Sequence, residues 1–140
     1  MNIVIINGPN LNLLGTREPD KYGSQTFIEV YNNLKINYPQ VNFTYFQTNI
    51  EGEIVNAIQQ YGTTHNIIIN PAAYTHTSVA IGDAILATKA KAIEVHISNV
   101  MAREDFRKIS FVSAVCIGTI TGLGMYGYQS AVQYFIANNN

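Results

Sequence analysis

Apolar residues along this chain follow two rhythms that take turns. Strand-like runs occur at Ile3-Val4-Ile5-Ile6, in the Val41, Phe43, Tyr45 alternation of Asn42–Gln47, at Ile67-Ile68-Ile69 within Asn66–Asn70, at Ala92–Ile97 and at Val112–Gly118. Between them the spacing turns helical. Thr26 is placed to cap a helix running to about Tyr38, with Phe27, Val30, Tyr31 and Leu34 on one face and Pro39 beyond its end. A second helix is predicted over Ile50–Tyr61, with Ile54, Ala57, Ile58 and Tyr61 on one face and Gly62 as its stop. A third covers roughly Ser78–Lys89, and Tyr126–Ala137 closes the chain. Five strands alternating with helices, several apolar on both faces, predict an α/β fold: a three-layer, doubly wound, five-stranded parallel sheet with right-handed crossovers.

Length and charge narrow the partners. At 140 residues the chain reads as a single domain, 1–140, large enough for its own core. Eight basic residues against nine acidic ones leave no basic face for nucleic acid, so a small, uncharged or singly charged ligand is easier to accommodate than a polymer. The single cysteine, Cys116, sits in an apolar run, which predicts a reduced, buried thiol in a cytoplasmic protein. No basic leader precedes the first strand pattern, and no apolar run approaches the roughly 18 residues a membrane span needs.

In a doubly wound sheet, ligands sit beyond the carboxyl ends of the strands. Polar residues just after the strands should therefore belong together. The first strand leads into Asn7 and Asn10, then a loop to Gly23 that is too long for a plain connector and carries Arg17 and Tyr22. Asn70 ends the third strand, followed by Tyr74, Thr75 and His76. The fourth delivers Glu94 and His96, then Ser98, Asn99, Arg103 and Arg107. Singly, each has a plain explanation: Thr75, Thr77 or Ser78 as helix caps, His76 as a solvated cap, the two arginines as a charged helical face. An imidazole on a buried strand needs a hydrogen-bonding partner, which favours a role for His96. His65 falls at the opposite edge.

Other chemistries are disfavoured. Gly122-Leu123-Gly124-Met125-Tyr126-Gly127 matches a dinucleotide-binding glycine pattern, but the chain ends too soon for the acidic residue about 20 positions on. The glycines read instead as a close helix–sheet approach. The histidines lack metal-ligand spacing, and no lysine other than Lys21 maps to the active edge, which argues against an imine mechanism.

Three motifs, Asn7-Gly-Pro-Asn-Leu-Asn-Leu-Leu-Gly-Thr-Arg-Glu-Pro19 with Tyr22-Gly23, Asn70-Pro71 through Tyr74-Thr-His-Thr-Ser78, and Glu94-Val-His-Ile-Ser-Asn99 through Arg103-Glu-Asp-Phe-Arg107, resemble type II 3-dehydroquinate dehydratase over nearly the whole chain. The resemblance implies a flavodoxin-like fold, a dodecamer built from four trimers, and interconversion of 3-dehydroquinate with 3-dehydroshikimate and water, using neither metal nor cofactor. It implies Tyr22 as the base, acting as tyrosinate. A free tyrosine titrates near 10, so holding it anionic near neutrality requires about 4 kcal/mol. An adjacent guanidinium, here Arg17, supplies part of that. By the same resemblance Asn10 orients a water at the enolate oxygen and His96 protonates the leaving hydroxyl, with Glu94 orienting its ring. Asn70, His76, Arg107 and the Ile97–Ser98 backbone bind the substrate, and Asp83 reaches in from a neighbouring subunit.

Two departures stand out. Ala72 or Ala73 replaces a customary Gly, and Gly82 stands where an Arg commonly precedes the helical Asp, which would remove an intersubunit contact. The competing expectation is a non-catalytic flavodoxin-like module that holds a small carboxylate. Arg107 and the asparagines would serve both, whereas an Arg beside Tyr22 has a purpose only in turnover.

Overall fold

The computed structural model describes residues 1–16, 20 and 24–139. Five strands, β1 (Asn2–Asn7), β2 (Asn42–Gln47), β3 (Asn66–Asn70), β4 (Ala92–His96) and β5 (Gly118–Thr121), form one sheet in the order β2-β1-β3-β4-β5. Every pairing is parallel, with Asn7 level with Gln47 on one side and Asn70 on the other. This is the flavodoxin-like order, and its switch point falls between β1 and β3.

Alternation along the strands explains the layers. Ile3 and Ile5 of β1, with Ile68, Ile93 and Val95, face one core completed by α1 (Phe27–Asn37) and α4 (Tyr126–Ala137). Val4 and Ile6, with Ile67, Ile69 and Ala92, face the other, against α2 (Glu51–Tyr61) and α3 (Val79–Thr88). The central strands are sealed on both sides, so their sequences read as unbroken apolar runs.

Local signals behave as their chemistry requires. Thr26 and Glu29 form a reciprocal capping box at the start of α1, and Ser78 Oγ accepts the Ile81 amide at the start of α3. Gly62 does follow α2, but in the right-handed region; a Cβ there would lie 2.6 Å from both the Ile58 carbonyl and Thr88 Oγ1, so close packing rather than a left-handed cap selects glycine. Gly127 packs against Val95 with a would-be Cβ at 3.1 Å, the close helix–sheet approach expected of the glycine run.

One element differs from expectation. The strand predicted over Val112–Gly118 begins only at Gly118. The apolar run Val112–Cys116 instead forms a 3-10 turn over Ser113–Val115, with Ser110 Oγ accepting the Val112 and Ser113 amides at its start. Val112 is buried in the core while Val115 and Cys116 are only partly covered, so burial rather than pleating accounts for its hydrophobicity.

Candidate active site

At the carboxyl edge of β1, β3 and β4 lies a cleft of about 770 Å³, open mouth included, whose walls are 9–11, 13, 14, 70, 72, 73, 76, 96–98, 100, 103 and 107. Seven of the residues given a catalytic or substrate-binding role from the sequence share it: Asn10, Asn70, His76, His96, Ile97, Ser98 and Arg107. The loop after β1 can approach the loop after β3 because residue 8 is glycine. A Cβ there would stand 2.6 Å from the Pro71 carbonyl, and the Gly8 amide donates to the Asn70 carbonyl at 2.8 Å.

Asn10 adopts a left-handed backbone, φ 69°, and its amide donates to Asn49 Oδ1 at 3.0 Å. That turn points the chain back over the strand ends and puts Asn10 at the rim. Asn70 is almost wholly buried: its Oδ1 accepts the Ala72 amide at 3.1 Å, and its Nδ2 donates to the Tyr128 hydroxyl at 3.0 Å. Tyr128 in turn donates to Asn7 Oδ1 at 2.9 Å. Complete burial pushes the Tyr128 phenol well above its ordinary value, which keeps it a neutral donor. Asn7 therefore serves beneath the cleft rather than in its wall.

Glu94 and His96 point the same way from β4, as residues two apart on a strand must. Glu94 is fully buried and His96 nearly so, and His96 Nε2 lies 2.7 Å from Glu94 Oε1. A carboxylate can only accept, so Nε2 carries the hydrogen, and Nδ1, without a partner among the described residues, is the nitrogen left for a ligand. Thr75 also bonds Glu94 Oε1.

His76 Nδ1 donates to the Ile109 carbonyl at 2.6 Å, which leaves Nε2 for a ligand hydroxyl. Its ring stacks toward that of His96 with centroids 6.4 Å apart. Arg107 Nε donates to Glu104 Oε2 at 2.6 Å, and this orients the guanidinium without engaging its terminal amino groups. Hydrogen bonds from its own backbone amide and from Arg107 hold the exposed Glu104 carboxyl below the usual carboxylate range. Behind the Ile97–Ser98 backbone, the glycine turn acts as a buttress: the Gly122 amide donates to His96 O at 3.2 Å and that of Gly124 to Ile97 O at 3.0 Å.

Arg17 and Tyr22, like Lys21, lie outside the described residues. Asp83 is exposed on α3 and takes no part in this chain's cleft. Lys108, absent from the expected map, follows Arg107 at this edge, but its ammonium pairs with Asp105 at 2.7 Å. His65 meets Tyr61 edge to face, away from the cleft. Among the described residues no group of three or more His, Cys, Asp or Glu side chains is placed to hold a metal ion. The sequence reading missed Ser110, which lies 16 positions after Glu94 and gives no local signal, and it read Thr75 as a possible cap although its hydroxyl meets Glu94.

Gly82 is buried on α3, and a Cβ at that position would lie 2.7 Å from the Phe111 carbonyl of the same chain. The expected account of Gly82 as a lost intersubunit contact is thus incomplete. What the glycine permits is a close approach within the subunit. Of the two alanines at the departure from the customary Gly, Ala72 is the one with positive φ, +52°.

Comparison with known proteins agrees with this geometry. The family model "Dehydroquinase class II" matches residues 1–136. A 3-dehydroquinate dehydratase of Fusobacterium nucleatum is 50% identical over 100% of this chain and 99% of its own length. The crystal structure of the type II dehydroquinase from Butyrivibrio crossotus superposes with a TM-score of 0.92 at 42% identity, covering 97% of each chain. That from Propionibacterium acnes gives 0.93 at 40% identity, covering 98% of this chain and 97% of that one.

Proposed function

The chain belongs to the class II dehydroquinase family and dehydrates 3-dehydroquinate to 3-dehydroshikimate in the shikimate pathway, and we propose that it does so through the residues gathered at the β1/β3/β4 edge. The reaction removes a proton beside a ketone, passes through an enolate and expels a hydroxyl group as water. It needs a base, an oxyanion stabiliser and an acid, in that order.

The observation that carries this reading is the Glu94–His96 pair. A buried carboxylate 2.7 Å from Nε2 stabilises an imidazolium whose Nδ1–H can be given to a departing hydroxyl. A module that merely held a carboxylate would have no use for such a pair. Asn10, at the rim, orients the water that stabilises the enolate oxygen. Arg107, with its Nε fixed by Glu104, offers its terminal amino groups to the substrate carboxylate, alongside the Ile97 and Ser98 backbone. Asn70 and His76 Nε2 bind ring hydroxyls. The base is Tyr22, its anion supported by Arg17.

In our reading the working unit is a trimer, assembled further into a dodecamer, with Asp83 entering a neighbour's cleft. The support is the outer face of α3, where exposed Val79 and Leu86, 55% and 58% accessible, flank Asp83 at helical spacing. The lone unpaired thiol supports a reducing, cytoplasmic setting, and among the described residues no helix is long and apolar enough to cross a membrane.

Ultraviolet absorbance tests the proposal, since dehydration creates a conjugated enone that the substrate lacks. Absorbance should rise with wild-type protein, while Tyr22→Phe should bind 3-dehydroquinate but lose turnover by about 100-fold or more, the usual span of general-base catalysis. Unchanged turnover in Tyr22→Phe would remove Tyr22 as the base.

A further inference from the structure

We infer that Thr75 and Ser110 form a relay of hydroxyl donors that positions the Glu94 carboxylate, and through it His96, for the acid step; the inference rests on the assignment of His96 as the acid.

The direction of every hydrogen bond in the relay is set by valence. Ser110 Oγ accepts two backbone hydrogens, from Val112 at 3.1 Å and Ser113 at 2.9 Å. Both of its acceptor positions are then occupied, and one O–H remains to donate. Its nearest acceptor is Thr75 Oγ1 at 2.8 Å, against 3.3 Å and 3.4 Å to the two Glu94 oxygens. With its oxygen accepting from Ser110, Thr75 sends its own hydrogen to Glu94 Oε1, the oxygen that also accepts His96 Nε2–H. Two side-chain donors thus converge on one oxygen of a carboxylate that has no contact with solvent. Each link polarises the next in the same sense.

The relay is also fastened to the fold at its far end. The Phe111 amide donates to the Thr75 carbonyl at 2.9 Å, and the neighbouring Ile109 carbonyl holds His76. The segment 109–113 therefore sets the aim of both cleft histidines, one through its backbone and one through Ser110, Thr75 and Glu94. Neither Thr75 nor Ser110 lines the cleft, so both are positioning residues rather than catalytic ones. The hydroxyl of Thr75 keeps Glu94 from rotating off Nε2 and gives buried Oε1 a second donor beside His96.

The test compares Thr75→Val, which keeps the shape and removes the donor, with Thr75→Ser, which keeps the donor, and reads two rates. One is elimination, followed by enone absorbance. The other is exchange of the abstracted hydrogen with solvent, which requires the base but not the acid. For Thr75→Val, kcat for elimination should fall about 10- to 100-fold, the loss of one hydrogen bond to a charged group, with KM nearly unchanged. Exchange should persist, so its ratio to elimination rises. Thr75→Ser should recover most of the elimination rate. Wild-type elimination in Thr75→Val, or a parallel fall of both rates, would overturn the relay. If Thr75→Val does not fold, Ser110→Cys, which keeps the bulk but donates weakly, is read by the same two rates with the same expectation. His96→Asn separates the layers: elimination lost there but untouched by Thr75→Val refutes the relay alone, whereas elimination retained in His96→Asn refutes the acid assignment itself.

Discussion

Replacing Gly82 with alanine adds one methyl group at a place where the fold leaves no room. The added Cβ would stand 2.7 Å from the Phe111 carbonyl oxygen, whereas ordinary contact begins at 3.4 Å, so helix and loop must separate by about 0.7 Å. The Phe111 amide lies 2.9 Å from the Thr75 carbonyl, and the same displacement carries that bond past the range of a good hydrogen bond. Overpacking of this kind costs about 1–3 kcal/mol. Alanine in mid-helix recovers about 0.8–1 kcal/mol over glycine. The net expectation is a loss of up to about 2 kcal/mol, with a urea midpoint lowered by up to about 1 M at a slope near 2 kcal/mol/M. The kinetic consequence is more diagnostic. Retreat of segment 109–113 loosens Ser110 from Thr75 and the Ile109 carbonyl from His76, so kcat should fall by at least a few-fold even at temperatures where the variant is fully folded. Urea unfolding followed by circular dichroism, together with the enone assay, measures both. A variant that gains the full helical increment and keeps wild-type kcat would refute the reasoning, because it would show that the loop does not depend on that approach.

Two further perturbations test neighbouring features. Ala72 holds φ +52°, a conformation that costs a non-glycine residue about 1–2 kcal/mol, so Ala72→Gly should be neutral to about 1 kcal/mol stabilising after glycine's greater unfolded-state entropy is counted; a clear fall in the urea midpoint would contradict the strain. Burial, and after it the Glu94 carboxylate, pushes the Cys116 thiol up to about 12, so iodoacetamide should label it slowly at pH 8 and rapidly once the chain is unfolded. Because the folded pKa is the higher one, the thiol's contribution to stability is fully present below the unfolded value near 8.5 and is lost as pH rises from there toward 12; midpoints that fail to drop between pH 8 and 10 in wild type relative to Cys116→Ala would contradict that sign.

Most of the fold was legible because strand and helix rhythms in this chain agree with tertiary demand. Ile67-Ile68-Ile69 could only be a strand buried on both faces, and Thr26 with Glu29 announced the start of a helix. Val112–Cys116 misled for a physical reason: an apolar run records burial, and a 3-10 turn pressed on the core buries Val112 as well as a strand would. The cleft was legible through topology, since the sheet order brings Asn10, Asn70, His76, His96 and Arg107 to one edge although they span nearly 100 positions. Side-chain partnership was not legible in the same way. Nothing near Ser110 in sequence shows that its hydroxyl meets Thr75 35 positions earlier, and the Tyr128–Asn7 bond joins residues 121 apart. Close backbone approaches were hidden too, because Gly8 and Gly82 look like loop and helix glycines until the opposing carbonyls of Pro71 and Phe111 are in place.

Three side chains of the cleft share one rule: each is held by its own chain at one end, and the other end is left for the ligand. His96 is held at Nε2 by buried Glu94, His76 at Nδ1 by a backbone carbonyl, and Arg107 at Nε by Glu104. A group so tethered has already lost its rotamer freedom when the substrate arrives, so less binding energy is consumed in ordering it. The tethers also differ in depth. Glu104, which holds Arg107, is exposed and weakly restraining, while Glu94 and Thr75, which hold His96, are sealed from solvent. Depth follows function here. A carboxylate-binding arginine can tolerate several geometries because charge attracts over distance, whereas proton transfer to a departing hydroxyl demands a donor within hydrogen-bond reach and on line. The structure accordingly places a carboxylate and a hydroxyl, both sealed from solvent, behind the one residue whose aim matters most.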